Sequence, residues 1–431
     1  MLEGYSIISV IVVIALCATT AFLSHIGAAV FHDGIRPVLP EYIEGRMKRP
    51  ELASIAFGLS VGFIASVGIV HTVATNILNP WLLFLPTDIL GIVAPKKWIA
   101  IVLGALWGVL TIFGMGALNT ALTILPVDMI GGIASLGNPV MVGFSLFPLV
   151  AIFRQFDSKK GIIATVLVLI VRQVASIYTP GMTDALVMLS GIILLLGFAI
   201  SNDMANKSSI SEGVGNVFSE RVERIKKNLP FLMLVGALVA LASNLRIFAG
   251  SEVSIYTLAQ SYATSGEAAS TLVNQAALAE VMRGIGFIPL IAITAITTGV
   301  YGVAGLTFVY PIGYLMPNPI FALIGGAIMI FIEVMALGLV GKFLNKFQSI
   351  RNASDNIRSS MTTVMEFALL IGSINACVTM GGFTGFFIGA MVYFINEFTG
   401  KKIMQMAIGP VAAIVTGVVL NLMYLVGLFV I

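Results

Sequence analysis

Two short strings place an acid inside otherwise apolar sequence: LPTDILG, carrying Asp88, and LPVDMIGG, carrying Asp128. Asn79 and Asn119 precede them at matching distances, and a glycine follows each acid. A proline removes one backbone donor and frees a carbonyl one turn earlier. The half-helix ends that result present dipole charge at membrane depth, where a solute or coupling ion binds. The same Pro-x-Asp pattern is also a turn and cap signal, so each acid either lines a site or caps a helix. NQAALAEVMRGIGFIPL adds Asn274, Glu280 and Arg283; Glu280 and Arg283 share a helical face, so an ion pair is available. FHDGIRPVLPEYIEG adds Asp33 and Arg36 between the first two apolar stretches. These are groups for binding ions and polar solutes. No HExxH or CxxC spacing suggests a metal, and His25, His32, His71, Cys17 and Cys377 stand singly.

The elements that must position these groups are transmembrane helices. Of 431 residues, 58% are hydrophobic and 10% charged, and the mean hydropathy is +1.04, which excludes a soluble enzyme. With about 20 apolar residues per span, the windows predict spans at 5–30, 53–77, 98–118, 138–156, 161–179, 183–202, 229–248, 276–299, 300–316, 318–344, 361–379, 382–398 and 404–430. The expected fold is an all-α polytopic membrane protein of about 12–14 transmembrane helices. Segments 79–95 and 119–135 are expected to be broken or re-entrant, carrying the repeated LPxDxxG motif. The polar stretch 203–228, containing NKSSISEG, reads as a cytoplasmic linker between an N-terminal membrane half, 1–202, and a C-terminal half, 229–431.

A net charge of +3 is too mild for nucleic acid. The basic loops instead report orientation: those from Arg154 onward can all face the cytoplasm, which puts 249–274 outside. Glu333 and Glu366 fall deep within apolar windows and are candidate proton carriers. Arg172, Asp184 and Arg246 sit nearer window edges, where long side chains snorkel. No GxxxxGK[ST] loop exists to hold a nucleotide, so an ATP-driven pump is excluded.

HDGIRPVLPEYIEG, ASIAFGLSVGFIASVGI, WLLFLPTDILG, LPVDMIGG, LFPLVAIF, KKNLP, RIFAGSEVSIYTL, NQAALAEVMRGIGFIPL and RNASDNIR resemble strings of the bacterial YhfT family, regarded as transport proteins, along nearly the whole chain. The resemblance implies a multi-pass inner-membrane carrier, and the company of aminotransferase-like and racemase-like enzymes implies a small polar metabolite. It supplies no residue roles.

The reading that joins these observations is secondary transport of a small polar or anionic solute, coupled to H+ or Na+, by rocking or elevator movement. Asp88 and Asp128 would bind the cation or substrate donors, Arg283 the substrate anion, and Glu280 would hold Arg283 or exchange a proton. No other cofactor is expected. The partners are the bilayer, the solute and, by analogy with carriers that use re-entrant segments, a second copy of the chain. A permease like the membrane component of a phosphotransferase system is the alternative. Further off stands an intramembrane enzyme acting on a lipid-linked substrate.

Overall fold

A computed structural model describes residues 6–206, 214–250, 252–345 and 347–431. The chain is helical, and among the described residues ten helices are long and apolar enough to cross a membrane, or eleven if the bent pair ending at Asn244 is one span. This is a multi-pass membrane protein with fewer full spans than the hydropathy windows suggest. In order they are α1 (Ile7–His25), the strand β1 (Ala29–Val30), α2 (Arg49–Thr75), α3 (Pro80–Val93), α4 (Lys97–Thr123) and α5 (Met129–Gln155), the last in three short pieces. Then come α6 (Ser158–Tyr178), α7 (Thr183–Asn206), α8 (Val214–Lys227), α9 (Leu229–Asn244), α10 (Glu252–Tyr262) and α11 (Gly266–Thr298). The strand β2 (Tyr301–Gly302), α12 (Val309–Leu315), α13 (Pro319–Asn345), α14 (Gln348–Phe398) and α15 (Gln405–Leu425) complete the chain.

Three differences from the hydropathy reading have physical causes. Residues 300–316 are not a span: the strand β2, a turn and the seven-residue α12 occupy them. Residues 249–274 are not an outside loop, because α10 buries Glu252, Ser254 and Thr257 within the bundle. The basic string around Arg351 and Arg358 is the first turns of α14, not a loop; this helix breaks at Gly381 and Gly382, where Gly382 has φ +56°. Of the proposed 203–228 linker, 207–213 lie outside the described residues, and Val214–Lys227 is helical.

The repeated motif is not a repeated structural device. Pro86 lies inside α3, and the carbonyl it frees, that of Leu82, accepts the Trp107 indole N–H at 3.0 Å. Asp88 is fully buried on α3. Asp128 is instead the exposed N-cap of α5, accepting from Gly131 N at 2.8 Å. Segment 119–135 is therefore the end of α4 and the start of α5.

A different repeat links the two halves. A Cβ at Gly91 would meet the Ala21 carbonyl oxygen and Ser24 Cβ, and one at Gly104 would meet the Cys17 carbonyl oxygen and Ala21 Cβ. In the second half a Cβ at Gly313 would meet the Ala240 carbonyl oxygen and Ser243 Cβ, and one at Gly326 the Gly236 carbonyl oxygen and Ala240 Cβ. Cys17, Ala21 and Ser24 have the spacing of Gly236, Ala240 and Ser243, and Gly91 and Gly104 that of Gly313 and Gly326. So α1, α3 and α4 pack as α9, α12 and α13 do, backbone against backbone through small residues. Phe22, near the end of α1, packs against Phe231, at the start of α9, with ring centroids 5.2 Å apart. Equivalent helices thus run in opposite senses, and the repeat is inverted.

Four helices are interrupted on this plan. Each ends in a left-handed residue: Gly27, Asn76, Arg246 and Gly299 have φ between 60° and 70°. Two residues later the chain is extended and pairs across the halves. Ala29 pairs with Tyr301 and Val30 with Gly302, and Leu78 bridges Phe248, both in parallel. A two-fold exchange of the halves exchanges these two crossings. Backbone bonds close them: Leu78 N to Ile247 O at 3.0 Å, Ala249 N to Leu78 O at 2.9 Å and Tyr301 N to Ala28 O at 3.0 Å. Non-helical backbone at membrane depth persists only where protein satisfies it or a cavity receives it.

Candidate functional site

The loops that leave the β1–β2 crossing, 31–36 and 302–307, form one side of a cavity of about 70 Å³. Opposite them stand α11, through Arg283 and Phe287, and α14, through Arg358. Three guanidinium groups therefore reach a single apolar chamber. Phe31, Phe63 and Trp81 supply its aromatic wall; Trp81 stacks on Phe63 with centroids 4.9 Å apart, and Phe31 meets Trp81 edge-on at 5.3 Å.

The arginines differ in what already occupies them. Arg36 is 2% exposed and pairs through Nη2 with Asp33 at 2.7 Å. Its Nε and Nη1 are buried with no hydrogen-bond partner among the described residues. Gly302 allows this placement, since a Cβ there would lie 3.0 Å from Arg36 Nη2. Arg283 sits over the Phe287 ring, 4.8 Å from its centroid, with Glu252 Oε1 at 3.6 Å from its Nε. Arg358 is held by Asp355 at 2.8 Å and Thr294 Oγ1 at 3.0 Å, which leaves its Nε without a partner among the described residues. His32 Nδ1 accepts from Gly34 N at 2.9 Å, so the ring is neutral and its Nε2 donates to Leu59 O at 3.1 Å.

Two buried carboxylates hold the loops from behind. Asp88 Oδ2 accepts from Phe31 N at 2.8 Å and His32 N at 3.0 Å. Glu333 Oε2 accepts from Leu306 N at 2.8 Å and Tyr301 Oη at 3.0 Å. Asp88 is thus a positioning residue behind the chamber wall, and Glu333 has the same task in the second half. Asn79 is the N-cap of α3, accepting from Leu82 N and donating to Gly68 O and Thr72 Oγ1. Asn119 donates to Asn76 Oδ1 at 3.0 Å.

Of the residues singled out from sequence, Asp33, Arg36 and Arg283 come together at the chamber, and Asp88 and Asn79 support it. Asp128 and Asn119 stand apart from it, at the far end of α4. Asn274 is exposed on a polar vestibule of about 630 Å³, bounded also by Arg246, Tyr262 and Tyr314. Glu280 is fully buried beneath that vestibule and accepts from Ser254 Oγ at 2.6 Å. The partner of Arg283 that sequence reasoning missed is Glu252, whose string reads as an exterior loop until the Leu78–Phe248 crossing draws it inward. Arg358 was missed because a short Asp-x-x-Arg string has the form of a surface pair. Among the described residues no cluster of His, Cys, Asp and Glu could hold a metal ion.

The contrast between Asp88 and Asp128 is measurable. Asp88→Ala should cost about 2–5 kcal/mol, because it strands two N–H groups that a fully buried carboxyl holds. Asp128→Ala should cost about 1 kcal/mol, the loss of one exposed cap. Thermal unfolding of the purified variants in lipid nanodiscs checks the order, and equal losses would contradict these roles.

The family model described as YhfT, protein of unknown function, matches residues 9–429. Over 428 residues, covering 98% of this chain and 99% of the relative, the sequence is 52% identical to the uncharacterized protein YhfT of Escherichia coli strain K12. No solved structure matches.

Proposed function

The chain belongs to the YhfT family, and from its inverted repeat and arginine-lined chamber we propose that it is a secondary transporter of a small organic anion. The observation that carries this reading is Arg36: a buried guanidinium whose Nε and Nη1 have no partner among the described residues and which borders a chamber. Asp33 occupies Nη2 alone, and the two donors left over are expensive to bury in a membrane protein unless something accepts from them. A carboxylate or phosphate does so through charge-assisted hydrogen bonds. The apolar wall of Phe31, Phe63, Trp81 and Phe287 receives the uncharged part of the solute.

Inverted repeats give such a carrier two related states of similar energy, so rocking or an elevator displacement of one half against the other exposes the chamber alternately. Coupling to H+ or Na+ drives accumulation. The chain works as a carrier and not as an enzyme, in the bacterial inner membrane and as a homodimer.

The test is a thermal-shift screen of the purified protein in nanodiscs against organic anions, each with and without Na+ and at two pH values, followed by proteoliposome uptake of any hit. A ligand at about 100 times its Kd raises folding stability by about 2.7 kcal/mol. A screen in which only cations or neutral solutes stabilise the protein overturns the anion assignment.

A further inference from the structure

The chamber and the vestibule are joined by a line of hydroxyl and carboxyl groups. Tyr314 borders the vestibule. Its Oη receives Gly250 N at 2.6 Å and lies 3.2 Å from Ser254 Oγ. Ser254 Oγ donates to Glu280 Oε1 at 2.6 Å. One helical turn along α11, Arg283 borders the chamber. Gly250 makes the approach possible, since a Cβ there would lie 2.7 Å from both Glu280 Oε1 and Tyr310 Cγ.

Two acids face one cation beside this line. Glu252, 2% exposed, and Glu280, 0% exposed, both act on Arg283, which is 5% exposed. Among the described residues the other titratable groups facing the cluster are Tyr310 and Tyr314 from α12, with Asp33 beyond Arg283, and Tyr262 with Arg246 over its ring beyond Tyr314. The tyrosines carry no charge that could offset a second carboxylate. Two buried acids close to one guanidinium repel each other and are both desolvated, and each effect favours a bound proton on one of them.

We propose that Glu280 is a proton-binding site of this carrier, loaded from the vestibule through Tyr314 and Ser254. A proton from vestibule water goes to Tyr314 Oη as the Tyr314 proton passes to Ser254 Oγ and the Ser254 proton to the Glu280 carboxylate. Each hydroxyl gives up one proton and regains one, and only Glu280 changes charge. The consequence for coupling rests on the transport reading above. With Glu280 neutral, Arg283 loses one of the acids that oppose it and is freer to hold a solute anion from the chamber side, so proton and anion load together. These hydrogen bonds lead from Glu280 toward the vestibule, which gives the proton a side of entry.

The site can be tested without knowing the solute. Attenuated-total-reflection infrared spectra of the purified protein in nanodiscs, taken from about pH 5 to about pH 9, report protonated carboxyl C=O bands directly. A band that titrates in the native protein, is missing from Glu280→Gln and survives in Glu252→Gln supports the assignment. In D2O its exchange should slow by about 100-fold in Tyr314→Phe, the lower end of what a positioned proton shuttle contributes. Should Glu280→Gln not fold, Glu280→Asp must shift the same band. The proposal is overturned if only carboxylate bands distinguish native protein from Glu280→Gln at every pH, if the band disappears with Glu252→Gln instead, or if Tyr314→Phe exchanges at the native rate. Absence of uptake with an intact Glu280 band would count against transport and leave the proton site standing.

Discussion

Arg36→Met should abolish anion-induced stabilisation and lower uptake by about 100-fold or more, while Arg46→Met leaves both unchanged. Both arginines are ion-paired, but their surroundings differ. Arg46 is half-exposed, bound by Glu41 and Glu44 in water, where such pairs contribute about 0–1 kcal/mol. Arg36 is buried, and truncating one member of a buried charge pair costs about 2–5 kcal/mol of binding, with about 1.4 kcal/mol for each factor of ten. Stability must be separated from binding, because Arg36→Met leaves Asp33, whose side chain is 21% exposed, without its cation, a smaller loss than the about 3–5 kcal/mol of a fully buried pair. The double variant Asp33→Asn/Arg36→Met removes that penalty and should regain the unliganded melting temperature of the native protein but not its response to anions. If the double variant still binds an anion as the native protein does, Arg36 is structural and the chamber's ligand lies elsewhere.

The helical class, the membrane setting and the glycine-rich packing are legible in the sequence because each follows from composition and period. The site is only partly so. Asp33 and Arg36 are visible as charges between apolar stretches, and Arg283 as a cation inside one. Glu252 and Arg358 are not, because their burial depends on contacts between distant parts of the chain: the Leu78–Phe248 crossing pulls α10 inward, and α14 continues as helix through a string that looks like a loop. The resemblance of LPTDILG to LPVDMIGG misleads for a related reason. Both place an acid after a proline, yet one stands beside the N–H groups of Phe31 and His32 in the interior and the other at the exposed start of a helix. Local sequence specifies a cap or a break; what surrounds it decides between them. The half-to-half repeat escapes sequence comparison because what repeats is backbone proximity at a few small residues, Ala21 and Ala240 among them.

That repeat makes its own prediction. Gly104→Leu and Gly326→Leu should each destabilise the protein by about 3 kcal/mol or more, the upper end of overpacking, and by similar amounts. At both positions the first atom a side chain would meet is a backbone carbonyl oxygen, of Cys17 in one half and Gly236 in the other. A carbonyl within a helix cannot rotate away as a side chain does, so the helices must separate, α1 from α4 or α9 from α13. Gly197 and Gly338 lie in long helices where an added methyl group would find nothing within 4 Å. Gly197→Ala and Gly338→Ala should therefore be neutral or stabilising by up to about 1 kcal/mol, the difference in helix propensity. Melting temperatures of the four variants in nanodiscs decide the matter. Because α1–α4 and α9–α13 are equivalent seams on opposite-running helices, a large loss at Gly104 with none at Gly326 would mean that the halves do not share one packing plan. An alternating-access mechanism built on their equivalence would then lose its structural basis.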